Sequence, residues 1–271
     1  MTPPVAVASF GYHEVTDHPG TAGFQRPGAL PYKHTGEAFA RNLDAIAAAS
    51  CPPELVTDLD LTRPGRHVLL TFDDGGKSAV PIGDALAARG WKGHFFIVTS
   101  LIGSRTFLTG PEIRYLHRCG HVVGSHSDTH PDIFREQPWD RMIEEWRISR
   151  DKLAELLGAP CRTASVPGGD SSPLVLRSAG AAGLAYLFTS EPVLRPESVG
   201  ECWILGRFMP KAWTPAARIG ELAAFRGWRR ALLGRRLKGL ARSAFPQLYR
   251  QYVRYTTRES PPARIPKEEL P

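Results

Sequence analysis

The sequence predicts an α/β barrel followed by a basic helical C-terminal appendage. Two observations indicate this class. Apolar runs with the length of strands alternate along the chain with segments of helical periodicity, which favours one sheet wrapped by helices over separate sheets and bundles. Polar residues suited to catalysis directly follow two of these runs, as they do at the carboxyl ends of the strands in barrel enzymes.

Seven apolar runs have the length and composition of strands. They span residues 5–12, 67–72, 93–98, 121–125, 162–166, 185–189 and 202–209. Helical spacing of apolar residues predicts helices over residues 39–46, 80–89, 109–116, 142–157 and 174–182, the third of which opens with a capping box. Residues 13–35 and 51–66 are rich in Pro, Gly and Thr and are predicted to be loops that can form groove walls.

Two short segments contain the residue types of a catalytic metal site. T-F-D-D-G at residues 71–75 and H-S-D-T-H at residues 126–130 each follow an apolar run. A catalytic divalent metal takes imidazole and carboxylate ligands and keeps one position open for water, and Asp74, His126 and His130 make such a set of three. One carboxylate can bind the metal while the other takes protons. Each segment alone has an ordinary alternative, a turn for the first and two exposed histidines on one helix face for the second.

The two segments together resemble the polysaccharide deacetylase family, also called the NodB-homology or carbohydrate esterase family 4 group, over about residues 5–207. The resemblance implies a distorted, incompletely closed (β/α)7 barrel. It also implies that Asp73 is the catalytic base and that Asp74, His126 and His130 bind a divalent metal. Zinc is the metal we expect first, with cobalt, nickel or manganese as alternatives.

The third segment of the family, R-x-P-aromatic-G, is matched by S-V-P-G-G at residues 165–169. Pro167, Gly168 and Gly169 are therefore expected to contact substrate. Ser165 replaces the family arginine that orients the base, and Gly168 replaces the aromatic residue that walls the groove. Arg162 lies three residues too early in the sequence to be the missing arginine, although a bent backbone could bring it near.

The general acid of the family is usually a histidine near the end of the domain, but this chain has no histidine after His130. The segment Y-H-E-V at residues 12–15 resembles the opening of circularly rearranged family members, in which the strand that carries the acid comes first. This resemblance implies that His13 is the general acid and places Tyr12 beside the substrate. The alternative is that His13 is an ordinary loop histidine.

The activity that the resemblance implies is removal of N-acetyl groups from a saccharide or glycoconjugate intermediate that contains an amino sugar, with release of acetate. Two alternatives stay open. The first is hydrolysis of small linear or cyclic amides on the same barrel, which the small Gly168 favours. The second is a carbohydrate-binding protein without turnover, which the missing arginine favours.

Composition indicates a cytoplasmic protein. The hydrophobic content is 42%, no apolar run reaches the length of a membrane span, and the first residues lack the pattern of a secretory signal. The four cysteines are widely spaced without a C-x-x-C pair, so reduced thiols are expected rather than a structural zinc site or a disulfide framework.

The charge divides the chain into a predicted barrel domain, residues 1–225, and a basic tail, residues 226–271. The tail has twelve Lys or Arg against three Glu, whereas the rest of the chain has 22 basic and 24 acidic residues, so the net +7 comes from the tail. Apolar residues from Trp228 to Ala244 are predicted to share one side of a helix that Pro246 interrupts, and the Pro-rich end after residue 260 is predicted to be disordered.

Three interpretations of this tail remain. The helix lies on an anionic membrane, which would place the protein at the inner membrane face, or it packs on the barrel as a cap. The third, contact with nucleic acid, is disfavoured because no base-reading motif accompanies the charge.

Overall fold

A computed structural model describes residues 4–49, 51–169 and 171–258, apart from the side chains of residues 238–243 and 246. The predicted Pro-rich end lies outside the described residues. The strands are β1 (Ala6–Tyr12), β2 (Glu14–Val15), β3 (Lys33–His34), β4 (Pro53–Glu54), β5 (Arg66–Phe72), β6 (His94–Ile97), β7 (Val122–Ser125), β8 (Thr163–Ser165), β9 (Tyr186–Phe188), β10 (Glu197–Val199) and β11 (Cys202–Leu205). The α-helices are α1 (Gly36–Ala47), α2 (Ala79–Ala87), α3 (Gly110–Arg118), α4 (Trp139–Leu157), α5 (Pro173–Ala181), α6 (Ala216–Ala223), α7 (Trp228–Ala244) and α8 (Pro246–Thr256).

The main sheet is curled and almost entirely parallel. Its order is β1-β5-β6-β7-β8-β9-β11-β10, with β4 paired to β5 and only β10 antiparallel. The chain after β11 returns to β1, where the Phe208 N–H donates to the Ser9 carbonyl and the Gly11 N–H donates to the Phe208 carbonyl, both at 2.9 Å. The curled sheet is thus a distorted barrel, and the predicted fold class is confirmed.

The seven predicted strands are present as β1, β5, β6, β7, β8, β9 and β11, and the five predicted helices are α1 to α5. Strand alternation explains where the core lies. Leu69 faces a buried interior cluster with Phe96 and Phe188, whereas Leu70 and Phe72 pack in the cluster between the sheet and the helices. Because the alternation continues past Leu69, the polar end of β5 faces the interior of the barrel.

Pro246 interrupts the helical region as predicted, because α7 ends at Ala244 and Pro246 begins α8, where proline fits the first turn of a helix. The tail differs from its prediction in one way. The apolar residues of α7 do not share one face: Trp228 is 5% exposed, while Leu233 and Leu237 are about 60% exposed. Among the residues described, no helix combines the length and the apolar character that crossing a bilayer requires.

Candidate active site

The carboxyl ends of the barrel strands open into a cleft of about 460 Å³. His13 follows β1, Asp73 and Asp74 follow β5, and His130 lies in the loop after β7. All four line this cleft. Because the strands are parallel and neighbouring, their carboxyl ends bring residues that are distant in sequence to one edge of the sheet.

Asp74, His126 and His130 form a cluster in which each residue offers a ligand atom within 4.8 Å of the others. Asp74 Oδ1 lies 3.4 Å from His126 Nε2 and 3.9 Å from His130 Nε2. The backbone here is unusual, with φ of +75° at Asp74, +63° at Ser127 and +53° at His130. Non-glycine residues rarely adopt such angles, which cost about 1–3 kcal/mol each and are typical of functional loops.

Hydrogen bonds fix the orientation of this loop. His126 Nδ1 lies 3.0 Å from the Ser165 carbonyl oxygen, and if it donates there, Nε2 is left to face Asp74. The His130 backbone N–H donates to Ser127 Oγ at 3.0 Å, and the His130 ring lies against the Phe24 ring with centroids 5.0 Å apart. The ligand atoms are therefore held in place by their surroundings.

The ionisation of the cluster suits a cation. Burial would raise the pKa of Asp74, but the histidines around it hold that pKa well below its usual range. Burial lowers the pKa of His126, yet the carboxylates of Asp73 and Asp74 outweigh burial and raise it overall. Burial and then the charge of His126 lower the pKa of His130 to about 4. Asp74 and His130 are therefore in the forms that bind metals, an ionised carboxylate and a neutral imidazole, whereas the raised pKa of His126 favours a proton that metal binding would have to displace.

The residues present fit a divalent metal. Two ligand atoms that are each about 2.0–2.2 Å from a tetrahedral centre lie about 3.4 Å apart, which is close to the two separations of Asp74 from the histidines. One oxygen and two nitrogen donors form a set typical of catalytic zinc. Asp74, His126 and His130 would hold the ion.

Asp73 is buried and paired with Arg207, which is fully buried. Arg207 Nη1 and Nη2 donate to the two carboxylate oxygens of Asp73 at 2.8 and 2.9 Å. The other hydrogen bonds of the guanidinium go to Thr71 Oγ1, Ser165 Oγ and the Thr189 carbonyl, at 2.9, 2.7 and 3.0 Å. These five bonds match the five N–H donors of arginine, so this buried charge is fully satisfied.

The ion pair with Arg207 determines the protonation state of Asp73. Burial would raise the pKa of this carboxyl, but the Arg207 guanidinium and then His126 hold the pKa below its usual value. Asp73 is therefore ionised at neutral pH, and each of its oxygens keeps a lone pair that is not used by Arg207. A carboxylate fixed beside a metal site in this way can accept a proton from water.

His13 lies close enough to Asp74 for its charge to lower the pKa of that carboxyl. Its ring lies against the Tyr32 ring, with centroids 4.8 Å apart, and its Nδ1 is buried without a hydrogen-bond partner among the described residues. His13 lines the cleft together with Asp73 and Asp74. An imidazole in this position can carry a proton to a substrate atom.

Only some of the residues that were predicted to contact substrate line the cleft. Gly168 and Gly169 line the cleft, whereas Pro167 is buried and is not part of its wall. The prediction that Tyr12 contacts substrate is wrong, because its side chain is fully buried in the core and packs on the ring of Phe72 with centroids 6.0 Å apart.

The predicted loop and the basic tail both form walls of the cleft. Phe24, Arg26 and Tyr32 come from the loop, and Arg230, Arg235, Tyr249 and Val253 from the tail are among the other lining residues. Arg235 donates to the Gly169 carbonyl at 2.6 Å and to Glu191 Oε1 at 2.8 Å. The Gly28 N–H donates to the Thr256 carbonyl at 3.0 Å. The helices α7 and α8 therefore cover part of the groove.

Comparison with known families is consistent with this site. Residues 60–187 match the family model described as polysaccharide deacetylase. This part of the chain thus matches the polysaccharide deacetylase family. The matched residues include Asp73, Asp74, His126 and His130, and the activity that the family carries is hydrolysis of acetylated carbohydrate.

Solved structures of polysaccharide deacetylases have the same fold. A polysaccharide deacetylase from Bacillus cereus has a TM-score of 0.67 at 17% identity, covering 80% of this chain and 69% of that one. IcaB from Ammonifex degensii has a TM-score of 0.66 at 19% identity, covering 82% of this chain and 98% of that one. The deacetylase PplD from Streptococcus pyogenes, solved in complex with acetate, has a TM-score of 0.64 at 18% identity, covering 81% and 99%.

Sequence reasoning missed Arg207 as the partner of Asp73. Arg162, the arginine that the sequence offered, is exposed at the other end of β8, while Ser165 at the family position accepts a hydrogen bond from Arg207. Arg207 and His13 both lie outside the residues that match the family model. The signal for Arg207 was weak, since it stands 134 residues from Asp73 in the sequence.

Proposed function

We propose that this deacetylase removes the N-acetyl group of an amino sugar in a saccharide or glycoconjugate, releasing acetate, and that it requires a divalent metal, zinc first. The observation that carries the proposal is the arrangement of Asp73. It is buried, ionised and held on both oxygens by Arg207, directly beside the Asp74 cluster and in the same cleft as His13.

The roles follow from these positions. When bound by Asp74, His126 and His130, a divalent metal supplies Lewis acidity, which lowers the pKa of water and polarises a carbonyl. Asp73 takes a proton from the water whose oxygen bonds to the amide carbon. His13 gives a proton to the amide nitrogen as the C–N bond breaks, so that the products are acetate and an amine.

Several observations favour a saccharide over the alternatives. The cleft is open and is lined in part by aromatic rings, so it suits a sugar and is larger than a small amide would need. One protein of the same fold was solved with acetate, the acid that deacetylation releases. The missing family arginine favoured a binding protein without turnover, but Arg207 donates to both carboxylate oxygens of Asp73 instead.

The test is release of acetate from N-acetylglucosamine oligomers by the zinc-loaded protein, with acetamide and cyclic amides as competing substrates. Asp73→Asn is the matched control, because an amide of the same shape cannot take the proton and should lower turnover about 100-fold or more. Acetate from the oligomers only in the parent protein supports the proposal. Turnover of the small amides alone would support the other hydrolase, and no turnover with metal bound would support a binding protein.

A further inference from the structure

The exposed apolar side chains of this protein are concentrated around the cleft. Among the described residues, ten large apolar side chains are exposed, and eight of them lie on segments that line the cleft. The eight, which we call the rim surface, are Leu30, Trp213, Leu233, Leu237, Phe245, Leu248, Tyr252 and Tyr255, with exposed fractions from 52% to 67%. The other two, Tyr115 and Trp139, are only 38% and 36% exposed.

Contacts between the segments make this one continuous surface. The Ala212 N–H, next to Trp213, donates to the Pro31 carbonyl, next to Leu30, at 2.8 Å. Thr256 in the last turn of α8 accepts a backbone hydrogen bond from Gly28 in the same loop as Leu30. The rim surface therefore follows the edge of the cleft.

The helices α7 and α8 direct apolar side chains outward as well as inward. On α7, Leu233 and Leu237 are four residues apart and share the outer face, opposite Arg235, which binds the groove wall. On α8, the spacing of Leu248, Tyr252 and Tyr255 places them on one face, while Val253 is buried. Soluble monomers rarely expose such stripes unless the stripes bind something.

The positive charge around the rim surface favours a negatively charged partner. Residues 226–258 contain ten Lys or Arg and no Asp or Glu. Arg229, Arg236, Arg254 and Arg258 are exposed, and none of them forms an ion pair with a described residue. Like charge opposes packing of the rim surface against a second copy. Leucine and phenylalanine side chains do not suit a nucleic-acid backbone, whereas apolar and aromatic groups flanked by arginine suit the interface of an anionic bilayer.

We infer that the rim surface docks on an anionic lipid bilayer, with the mouth of the cleft facing the lipid. The apolar side chains enter the interface and the arginines contact anionic headgroups. On the proposed function, the inference also names the substrate class: an acetylated amino sugar that is linked to a lipid and presented at the bilayer surface. A cytoplasmic face for this bilayer stays a prediction from the sequence.

The test uses the full chain loaded with zinc and vesicles of phosphatidylcholine with or without phosphatidylglycerol. The double variant Leu237→Ser with Tyr255→Ser changes two outward residues that do not line the cleft, and Tyr115→Ser is the control away from it. Sedimentation should show binding only to the vesicles with phosphatidylglycerol, weakened by salt and by about tenfold or more in the double variant. The control should bind like the parent.

Two results would overturn the docking: a parent that ignores anionic vesicles, or a folded double variant that binds them unchanged. If the parent self-associates in sedimentation velocity and the double variant does not, the surface is an interface between copies. Equal acetate release from an N-acetylglucosaminyl lipid in these vesicles and from a soluble oligomer would overturn the substrate class. If no saccharide is turned over but vesicle binding depends on the rim surface, the proposed function fails and the docking stands.

Discussion

At the scale of single residues, the pair of Asp73 and Arg207 does most to define the site. Both charges are buried, and the pair is stable because every N–H of the guanidinium finds an acceptor. The pair also sets the position of Asp73, because two bonds to one carboxylate fix its plane. On the proposed function, Arg207 is thus a positioning residue that acts through Asp73.

Substitutions of Arg207 should separate its charge from its geometry. Arg207→Lys keeps the charge but cannot hold both oxygens of Asp73, so kcat should fall about 10- to 100-fold with little change in the acid limb of the pH profile. Arg207→Met also removes the charge that holds the pKa of Asp73 down. We therefore expect that limb to move to higher pH and the protein to lose about 3–5 kcal/mol of unfolding free energy. An unmoved limb in both variants would exclude this role.

The proposed metal ligands allow a direct prediction. His126→Ala should remove the bound metal and the acetate release together, because a site of three ligands has no spare ligand. His67→Ala is the matched control, since His67 pairs with Glu54 near the opposite end of β5. Metal content of the purified proteins, measured by mass spectrometry, checks the prediction, and undiminished metal in His126→Ala would contradict the assignment.

The loss of rate in a His13 variant should depend on the leaving group of the substrate. His13→Ala should keep the metal and slow amide hydrolysis by about 100-fold or more, but affect p-nitrophenyl acetate much less, because an amine must be protonated to leave and a nitrophenolate need not be. His18→Ala, in the same loop and exposed, should change neither rate. Equal losses on the two substrates would indicate that His13 only supports the fold of the cleft.

Sequence reasoning found the residues that stand in short motifs and missed the one that does not. Asp73, Asp74, His126 and His130 follow apolar runs at strand ends, so local pattern was enough to bring them together. Arg207 reaches Asp73 through the closure of the barrel, which is a property of the whole sheet. Tyr12 failed as a substrate contact because strand alternation turns its side chain into the core.

At the scale of elements, the strands were predictable and the tail was not. Buried parallel strands are continuous apolar runs, which is why all seven could be read from the sequence. The apolar residues of α7 divide between a buried face at Trp228 and an exposed face at Leu233, so the assumption that apolar residues face one side was misleading. A helix with apolar side chains on an exposed face breaks the rule that the sequence prediction used.

The short strand β2 carries a buried acid that makes stability depend on pH. Glu14 is 2% exposed, and its pKa is raised from 4.5 to about 7, mainly by burial, with Asp74 raising it further and Ser78 and Lys33 opposing the rise. The folded chain therefore keeps this proton at pH values where the unfolded chain has lost it. The stability that the proton contributes is complete below about pH 4.5 and is lost as pH rises to about 7.

Glu14→Gln should remove this dependence. Relative to the variant, the parent should lose about 3 kcal/mol of unfolding free energy between pH 4.5 and pH 7, because each pH unit corresponds to about 1.4 kcal/mol. Glu155→Gln, an exposed acid on α4, should leave the parent's profile unchanged. Urea unfolding at a series of pH values measures the difference, and parallel curves for parent and Glu14→Gln would show that Glu14 is ionised in the folded protein.

At the scale of the whole molecule, the tail joins the barrel and the cleft. Trp228 packs on Phe10 of β1 with ring centroids 6.2 Å apart, and its Nε1 donates to the Leu222 carbonyl at 2.9 Å. Arg235 then ties α7 to the groove wall where Gly168 leaves open space in place of an aromatic side chain. The tail thus supplies part of the cleft wall that the barrel lacks. The tail and the barrel differ in net charge from residue 226 onward, but they share this wall.

Two truncations should divide these roles. A chain that ends at Ala244 keeps Trp228 and Arg235 but loses the cleft wall made by α8. It should therefore unfold at nearly the parent temperature and keep its metal, while KM for N-acetylglucosamine oligomers rises more than kcat falls. A chain that ends at Arg226 also loses Trp228 and uncovers Phe10, so its unfolding free energy should fall by about 3–5 kcal/mol, as for loss of a buried tryptophan.

These expectations are checked by thermal unfolding, metal content and acetate-release kinetics of the parent and the two truncated chains. The chain ending at Ala244 serves as the control for the shorter one, because both lack the α8 surface and only one lacks the packing of Trp228 on Phe10. If the two truncated chains are equally stable, the tail is an independent appendage and the packing of Trp228 contributes nothing to the barrel. If KM is unchanged in both, α8 does not contact the saccharide, and its role is confined to the surface that we assign to the bilayer.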